Sequence, residues 1–290
     1  MDISHIRMMR RVVQLGFVAL FLFAPVFDLL RYDVAAKDFY FLGQVRDLGL
    51  GQDFYQSPDL IGPGQVALRF FVRGILPWLV VLAVFPLLGF FLGRAFCGWA
   101  CPEGALFEFA DYLTLKCLGR RSVYGPASND PPGVRGNRWL WGLIAAAYLM
   151  TVPPFFGIML SGYFIAPARI WNEITTMNLS PGLRYGIFGV SLYMLVTFVL
   201  VRHVICKYVC SGGLMQMLFG WISPLALVIR FKGHEGCTDC RGCEQACFMG
   251  VRPRSARKNI NCVNCGACIE ACRRELGHDH GLFSFRFGKK

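Results

Sequence analysis

Charge is scarce in this sequence. Only 17% of its 290 residues are charged, while 55% are hydrophobic and the mean hydropathy is +0.46. Soluble domains carry about 25% charged residues. A fully water-facing surface is therefore excluded, and most of the apolar mass is expected to meet lipid. Histidine is rarer still, with His5, His203, His234, His278 and His280 the complete set. Only His203 lies near a long apolar run, so a bis-histidine haem inside a bilayer has no second ligand. The basic residues follow the edges of apolar runs and do not gather on one face, which argues against nucleic-acid binding despite a net charge of +12. No small-x-small cleavage site follows the basic start before Asp28 and Leu29, and that start is expected to be a retained signal anchor. Nor does any constellation suggest a substrate-transforming active site.

Cysteine, by contrast, is abundant. Cys237, Cys240, Cys243 and Cys247, then Cys262, Cys265, Cys268 and Cys272, write C-x2-C-x2-C-x3-C twice. Thiolates spaced by two residues wrap three corners of a cubane from one tight loop, and the fourth serves the other cluster. The spacing predicts one [4Fe-4S] cluster on Cys237, Cys240, Cys243 and Cys272, and a second on Cys262, Cys265, Cys268 and Cys247. Zinc knuckles pair two C-x2-C motifs and have no use for the remaining offsets. Phe248 and Arg273 stand where proline usually follows the fourth cysteine.

Four apolar stretches are candidates to cross a hydrocarbon core of about 30 Å: Val12 to Leu30, Gly74 to Gly93, Trp139 to Ile165, and Tyr185 to Val201, the last expected to gain a turn at each end. A shorter run, Leu214 to Ile229, is interrupted by Pro224 and reads as an interfacial or re-entrant helix, with a full span as the alternative. The expected fold is a mainly α membrane protein: a four-helix transmembrane domain over 1–205, a second cysteine motif and interfacial helix over 206–232, and a ferredoxin domain over 233–290. Lys and Arg concentrate at the N-terminus, between the second and third spans, and in the tail, which places both termini in the cytoplasm and the protein in a bacterial inner membrane. All twelve cysteines in motifs then fall on the reducing side. Cys117 is left over and reads as a buried small residue. Trp78, Trp141, Tyr148, Tyr163 and Trp171 read as packing and interface belts. Asp28, Arg69 and Arg73, at outer helix ends, are either a quinone headgroup site or solvated helix ends.

A second repeat is subtler. Cys97 and Cys101 follow the second span and Cys206 and Cys210 the fourth, each pair with an aromatic residue two places after its first cysteine and a glycine seven places after it, Gly104 and Gly213. Two spans plus C-x3-C, used twice, reads as an internal duplication. Cysteines at i and i+4 share one face of a helix. If the halves meet about a pseudo-two-fold axis, four sulfurs converge into a soft-metal site or a thiol-exchange site; otherwise the pairs are packing.

With Cys97-Gly98-Trp99-Ala100-Cys101-Pro102 as the first C-x3-C motif and the eight-cysteine segment at the C-terminal end, the chain resembles the NapH/MauN group of membrane ferredoxins over nearly its whole length. The resemblance implies an electron-transfer subunit that takes electrons from the quinone pool and works with other electron-transfer subunits, ferredoxin-like or cytochrome, of a periplasmic oxidoreductase. Lys37-Asp38-Phe39-Tyr40-Phe41-Leu42-Gly43 is similar to the first outer loop of CcoG-type proteins, which reduce copper and assist oxidase assembly. Proteins of that type continue into a further span and an immunoglobulin-like domain, whereas this sequence stops at Lys290, so a copper or thiol reductase acting in metalloenzyme maturation ranks second. A redox-sensing scaffold is the third expectation.

Overall fold

The computed structural model describes residues 3–35, 38–46, 63–119, 137–255, 260–277 and 280–288. Asp47, Asp53, Asp59, Arg120, Arg121 and Arg135 lie outside them. The chain is mostly helical and divides into two compact units, one of residues 1–18, 85–149 and 196–290 and the other of residues 19–84 and 150–195.

The second unit begins in the last turns of α1 (Ile3–Phe23). Pro25 cannot continue a helix, and the chain turns there into a three-stranded antiparallel sheet, β1 (Leu30–Asp33), β2 (Asp38–Phe41) and β3 (Gln44–Arg46). The first expected span therefore stops short, because Leu30 is the first residue of a strand. Tyr32 N donates to Tyr163 O at 2.9 Å and Val34 N to Phe164 O at 3.0 Å, extending the pairing of β1. Arg31 is buried between Asp28 and Asp33, at 2.7 and 2.9 Å, under the Tyr40 ring. Asp28 is thus spent in an ion pair; the side chains of Arg69 and Arg73 lie outside the described set. The unit continues with α2 (Pro63–Phe70), a π-turn over Phe71–Ile75, and the start of α3 (Leu76–Leu92). It also holds the second half of α6 (Arg138–Ser161), α7 (Pro167–Thr175) and nearly all of α8 (Pro181–Val196). Gly157 lets two of these helices touch, since a Cβ there would lie 2.9 Å from Ile187 O.

The first unit holds the end of α3, then α4 (Ala95–Trp99) and α5 (Pro102–Leu118), and the beginning of α6 (Arg138–Ser161). After a π-turn over Thr197–Val201 follow α9 (Arg202–Tyr208), α10 (Ser211–Ile222), β4 (Leu227–Phe231), α11 (Gly242–Gln245), α12 (Ala267–Leu276) and β5 (Phe283–Phe287). α3 and α10 approach through glycine: a Cβ on Gly89 would lie 2.9 Å from Gln216 Cα, and one on Gly220 3.0 Å from Gly93 Cα. Such small-residue contacts replace hydrophobic driving force where lipid surrounds a helix pair.

Among the described residues, two helical stretches are long and apolar enough to cross a membrane, Arg138–Ser161 with 24 residues and Pro181–Ile222 with 42; Leu82–Leu92 is a shorter apolar helix. The helical stretch Pro181–Ile222 extends beyond Tyr185 and Val201, the ends of the fourth expected span. The run Leu214 to Ile229 is not one helix. Ser223-Pro224 ends α10 after Ile222, and the β-branched Val228 and Ile229 go into β4, which pairs antiparallel with β5 from Leu227↔Phe287 to Phe231↔Phe283.

Candidate iron-sulfur and thiol sites

The two C-x3-C copies fold alike. In each, a short helix ends just before the second cysteine, whose own N–H bonds back to the carbonyl five residues earlier: Cys101 N to Phe96 O at 3.0 Å, Cys210 N to Ile205 O at 2.9 Å. Cys101 and Cys210 then take extended backbone as N-caps of α5 and α10. The expectation that each pair shares one helical face is thus corrected: a helix break separates the two thiols. Pro102 favours the break in the first copy by starting α5 at its first position. Gly104 and Gly213 are glycines because the chain folds back on itself there. A Cβ would lie 3.1 Å from Cys97 O in one copy and 2.9 Å from Cys206 O in the other.

The structure brings the four thiols together. Each of Cys97, Cys101, Cys206 and Cys210 lies within electrostatic reach of the other three. Burial pushes the Cys101 thiol, one of these four, up to about 12. Beside them lies Gln216, fully buried, whose Oε1 accepts from Cys97 Sγ at 3.4 Å. Arg94, 2% exposed, donates from Nη2 to Cys206 O at 2.6 Å and from Nη1 to Asn261 Oδ1 at 3.2 Å. Cys117 stands near the end of α5, half-buried.

The eight cysteines between β4 and β5 curl through matching backbone. Asp239 (φ 52°) and Asn264 (φ 51°) occupy equivalent places in the first C-x2-C step of each copy, and Arg241 (φ 56°) and Gly266 (φ 80°) in the second. Left-handed residues at these points turn successive backbone N–H groups to one side, the concavity that suits anionic clusters. Asn264 also ties its loop down, donating from Nδ2 to Leu92 O at 3.2 Å and Leu227 O at 2.8 Å, while Trp99 Nε1 donates to Asn264 O at 2.9 Å. Cys243, Cys268, Ile269 and Phe283 form the buried core of this segment.

Two cavities receive the thiols. Cys237, Cys240, Cys243 and Cys272 line a small one of about 20 Å³, together with Phe231, Leu276 and Phe283. Cys247, Cys262, Cys265 and Cys268 line another of about 480 Å³. In each, three cysteines come from one motif and the fourth from the other. The donor sets fit iron-sulfur clusters: four sulfurs, apolar surroundings and no disulfide among the cysteines. Arg254 lines both cavities and is held by Glu244, at 3.2 Å, and by Asp239.

Sequence reasoning missed a buried polar network in the same unit. Asp111 accepts from Arg202 Nη1 at 2.8 Å and lies 2.6 Å from His203 Nε2, and Arg202 Nη2 donates to Thr114 Oγ1 at 2.6 Å. The His203 ring lies 5.1 Å from that of Phe248, the residue after Cys247, and Arg10 lies over the same ring at 5.5 Å. Arg10 also pairs with Glu108 and donates from Nε to Gly98 O at 2.7 Å. Burial raises the Glu108 carboxyl, opposed by Arg10. The one sequence signal was the placement of Asp111 and Arg202-His203 inside apolar surroundings.

The family described as "4Fe-4S binding domain" matches this chain twice, at residues 75–121 and 185–230, the segments that carry the two C-x3-C copies. YccM of Escherichia coli is 26% identical over 67% of this chain and 53% of its own length. The methylamine utilization ferredoxin-type protein MauN of Methylorubrum extorquens is 28% identical over 74% of this chain and 71% of its own, and the ferredoxin-type protein NapH of Escherichia coli 22% identical over 63% and 60%. The chain thus spans about half the length of YccM. No solved structure matches it. The motifs, their geometry and these matches together make the chain a relative of the ferredoxin-type proteins of the NapH and MauN kind.

Proposed function

We propose that this chain is a membrane-bound subunit that carries electrons between the quinone pool and a partner oxidoreductase through two [4Fe-4S] clusters. The observation that carries the reading is the crossed lining of the two cavities, three thiols from one motif and one from the other in each. Cys237, Cys240, Cys243 and Cys272 hold the first cluster, and Cys262, Cys265, Cys268 and Cys247 the second. Bound there, the clusters supply one-electron chemistry. The chain's own residues fix the loops, exclude water with Phe231, Phe283 and Ile269, and set a positive charge, Arg254, beside both sites. Four spans, residues 1–205, carry the protein in a bacterial inner membrane with both termini in the cytoplasm. Residues 206–232 connect them to the ferredoxin domain, 233–290.

Protein purified anaerobically should contain about eight iron and eight sulfide per chain. Cys272→Ser should damage the cluster of Cys237, Cys240 and Cys243, and spare the other. Added quinol should reduce the clusters, with quinone-site inhibitors blocking it. Zinc in place of sulfide, or clusters that stay oxidised with quinol, would refute the reading.

A second reading rests on the convergence of Cys97, Cys101, Cys206 and Cys210. Four thiols gathered from two repeats suit a soft metal or dithiol exchange, as a copper or thiol reductase in metalloenzyme maturation requires. That reading expects fast Cu(II) reduction through these thiols, and partner enzymes lacking metal when the chain is deleted.

A further inference from the structure

The two thiol-lined cavities differ greatly in size, about 20 Å³ against about 480 Å³. Four cysteines line each, so the larger volume has another source. It lies toward α10, where Met217, Gly220 and Trp221 form part of the wall, and toward Ile229 of β4. A volume of this size falls within the range of small-molecule sites, roughly 300–1,000 Å³.

The polar groups on the wall narrow the ligand. Gln216 is fully buried, and its Nε2 has no hydrogen-bond partner; its Oε1 is already taken by Cys97. Arg94 uses both Nη atoms on protein oxygens and leaves Nε unbonded. Buried donors without acceptors are rare in folded proteins because they lose water and gain nothing in return. Two of them on one cavity mark where a ligand's oxygens belong. Arg254 shares its charge with Glu244 and Asp239, whereas Arg94 is held by two neutral oxygens and keeps its charge, which favours the partly deprotonated oxygen that a hydroquinone presents as it is oxidised. Arg230, His234, Ser255 and Asn264 share the remaining wall with apolar residues such as Met217, Trp221, Ile229 and Val263. α10 ends an apolar stretch, Pro181–Ile222, long enough for a membrane, so an amphiphile leaving the bilayer meets this helix.

We infer that this cavity is the binding site for the headgroup of a lipid-soluble hydroquinone, with Gln216 Nε2 and Arg94 Nε donating to its oxygens and Trp221 and Met217 against its ring. The inference rests on the quinone-linked reading above and places that ligand beside the thiols of Cys247, Cys262, Cys265 and Cys268. Oxidation of the hydroquinone to quinone releases two electrons, one for each of the two proposed clusters, and two protons. The two protons pass to bulk solvent.

The test is photolabelling of the full-length, cluster-loaded protein with an azido-ubiquinone, followed by peptide mapping. Label should fall on Gln216 to Trp221 and on β4, and an excess of decylubiquinone should remove it. Gln216→Leu should reduce that labelling at least tenfold at unchanged iron and sulfide content. Should this variant lose iron, Met217→Phe, which fills the cavity with a larger side chain, serves the same comparison. Label confined to other segments while quinol still reduces the clusters would overturn the site and leave the proposed function standing. Neither labelling nor reduction by quinol would overturn both.

Discussion

Gly98 is the place where the first C-x3-C copy touches the second cluster loop. It is buried, and a Cβ added to it would collide with the backbone carbonyl of Val263, between Cys262 and Cys265. Neither partner is a flexible side chain. The Gly98 carbonyl is also held by Arg10 Nε at 2.7 Å and Gln14 Nε2 at 3.3 Å, so α4 cannot simply withdraw. Gly98→Ala must therefore push Val263 and distort the loop of Cys262 and Cys265. Overpacking of this kind costs about 1–3 kcal/mol, a factor of roughly 5 to 150 in the equilibrium between the intact and distorted loop at 1.4 kcal/mol per tenfold. The expected outcome is selective: iron falls from about eight to about four per chain, and the remaining signal in electron paramagnetic resonance belongs to the cluster of Cys237, Cys240, Cys243 and Cys272. Gly142→Ala, where a Cβ meets nothing within 4 Å, should leave both clusters intact. If Gly98→Ala retains all the iron with unchanged reduction potentials, the contact does not hold the loop as described.

Asp111→Asn removes the carboxylate that faces both Arg202 and His203, at 2.8 and 2.6 Å, and should cost about 3–5 kcal/mol, read as a lowered unfolding temperature in detergent. The Glu173 carboxylate is held down to about 2 by hydrogen bonds from Ser180 first and then by Arg169. Because its folded value is depressed, its contribution is present above about pH 4.5 and is lost as pH falls toward about 2, a dependence that Glu173→Gln should remove from acid unfolding curves. Reporter fusions after Arg121 and at the C-terminus should be active as cytoplasmic reporters, and fusions near Asp53 and Asn178 as periplasmic ones; an exported C-terminus would refute the topology.

The cysteine motifs were legible because ligand spacing is a local property, and the duplication because the same offsets to an aromatic residue and a glycine occur in both copies. The helical break inside each C-x3-C was not. Cys97 to Cys101 contains nothing that forbids a helix apart from Gly98, and only Pro102 hints at a new start. Leu214 to Ile229 shows the limit of hydropathy: one continuous apolar run serves first a helix and then a strand, and the partner that makes β4 a strand lies more than fifty residues downstream in β5. The role of Gly104 and Gly213 is visible only when the folded-back carbonyls of Cys97 and Cys206 are seen against them. Arg94, Gln216 and Asp111 were passed over because a single polar residue near an apolar run reads as a solvated end until its burial is known.

β4 precedes all eight motif cysteines and β5 follows them, five residues paired with five. Synthesis runs in one direction, so the ribosome has delivered every thiol of both sets before the strand that closes around them exists. Pairing of Phe283–Phe287 with Leu227–Phe231 then shuts the segment. A chain cut short before Phe283 would keep all eight motif thiols and lose the strand that pairs with β4.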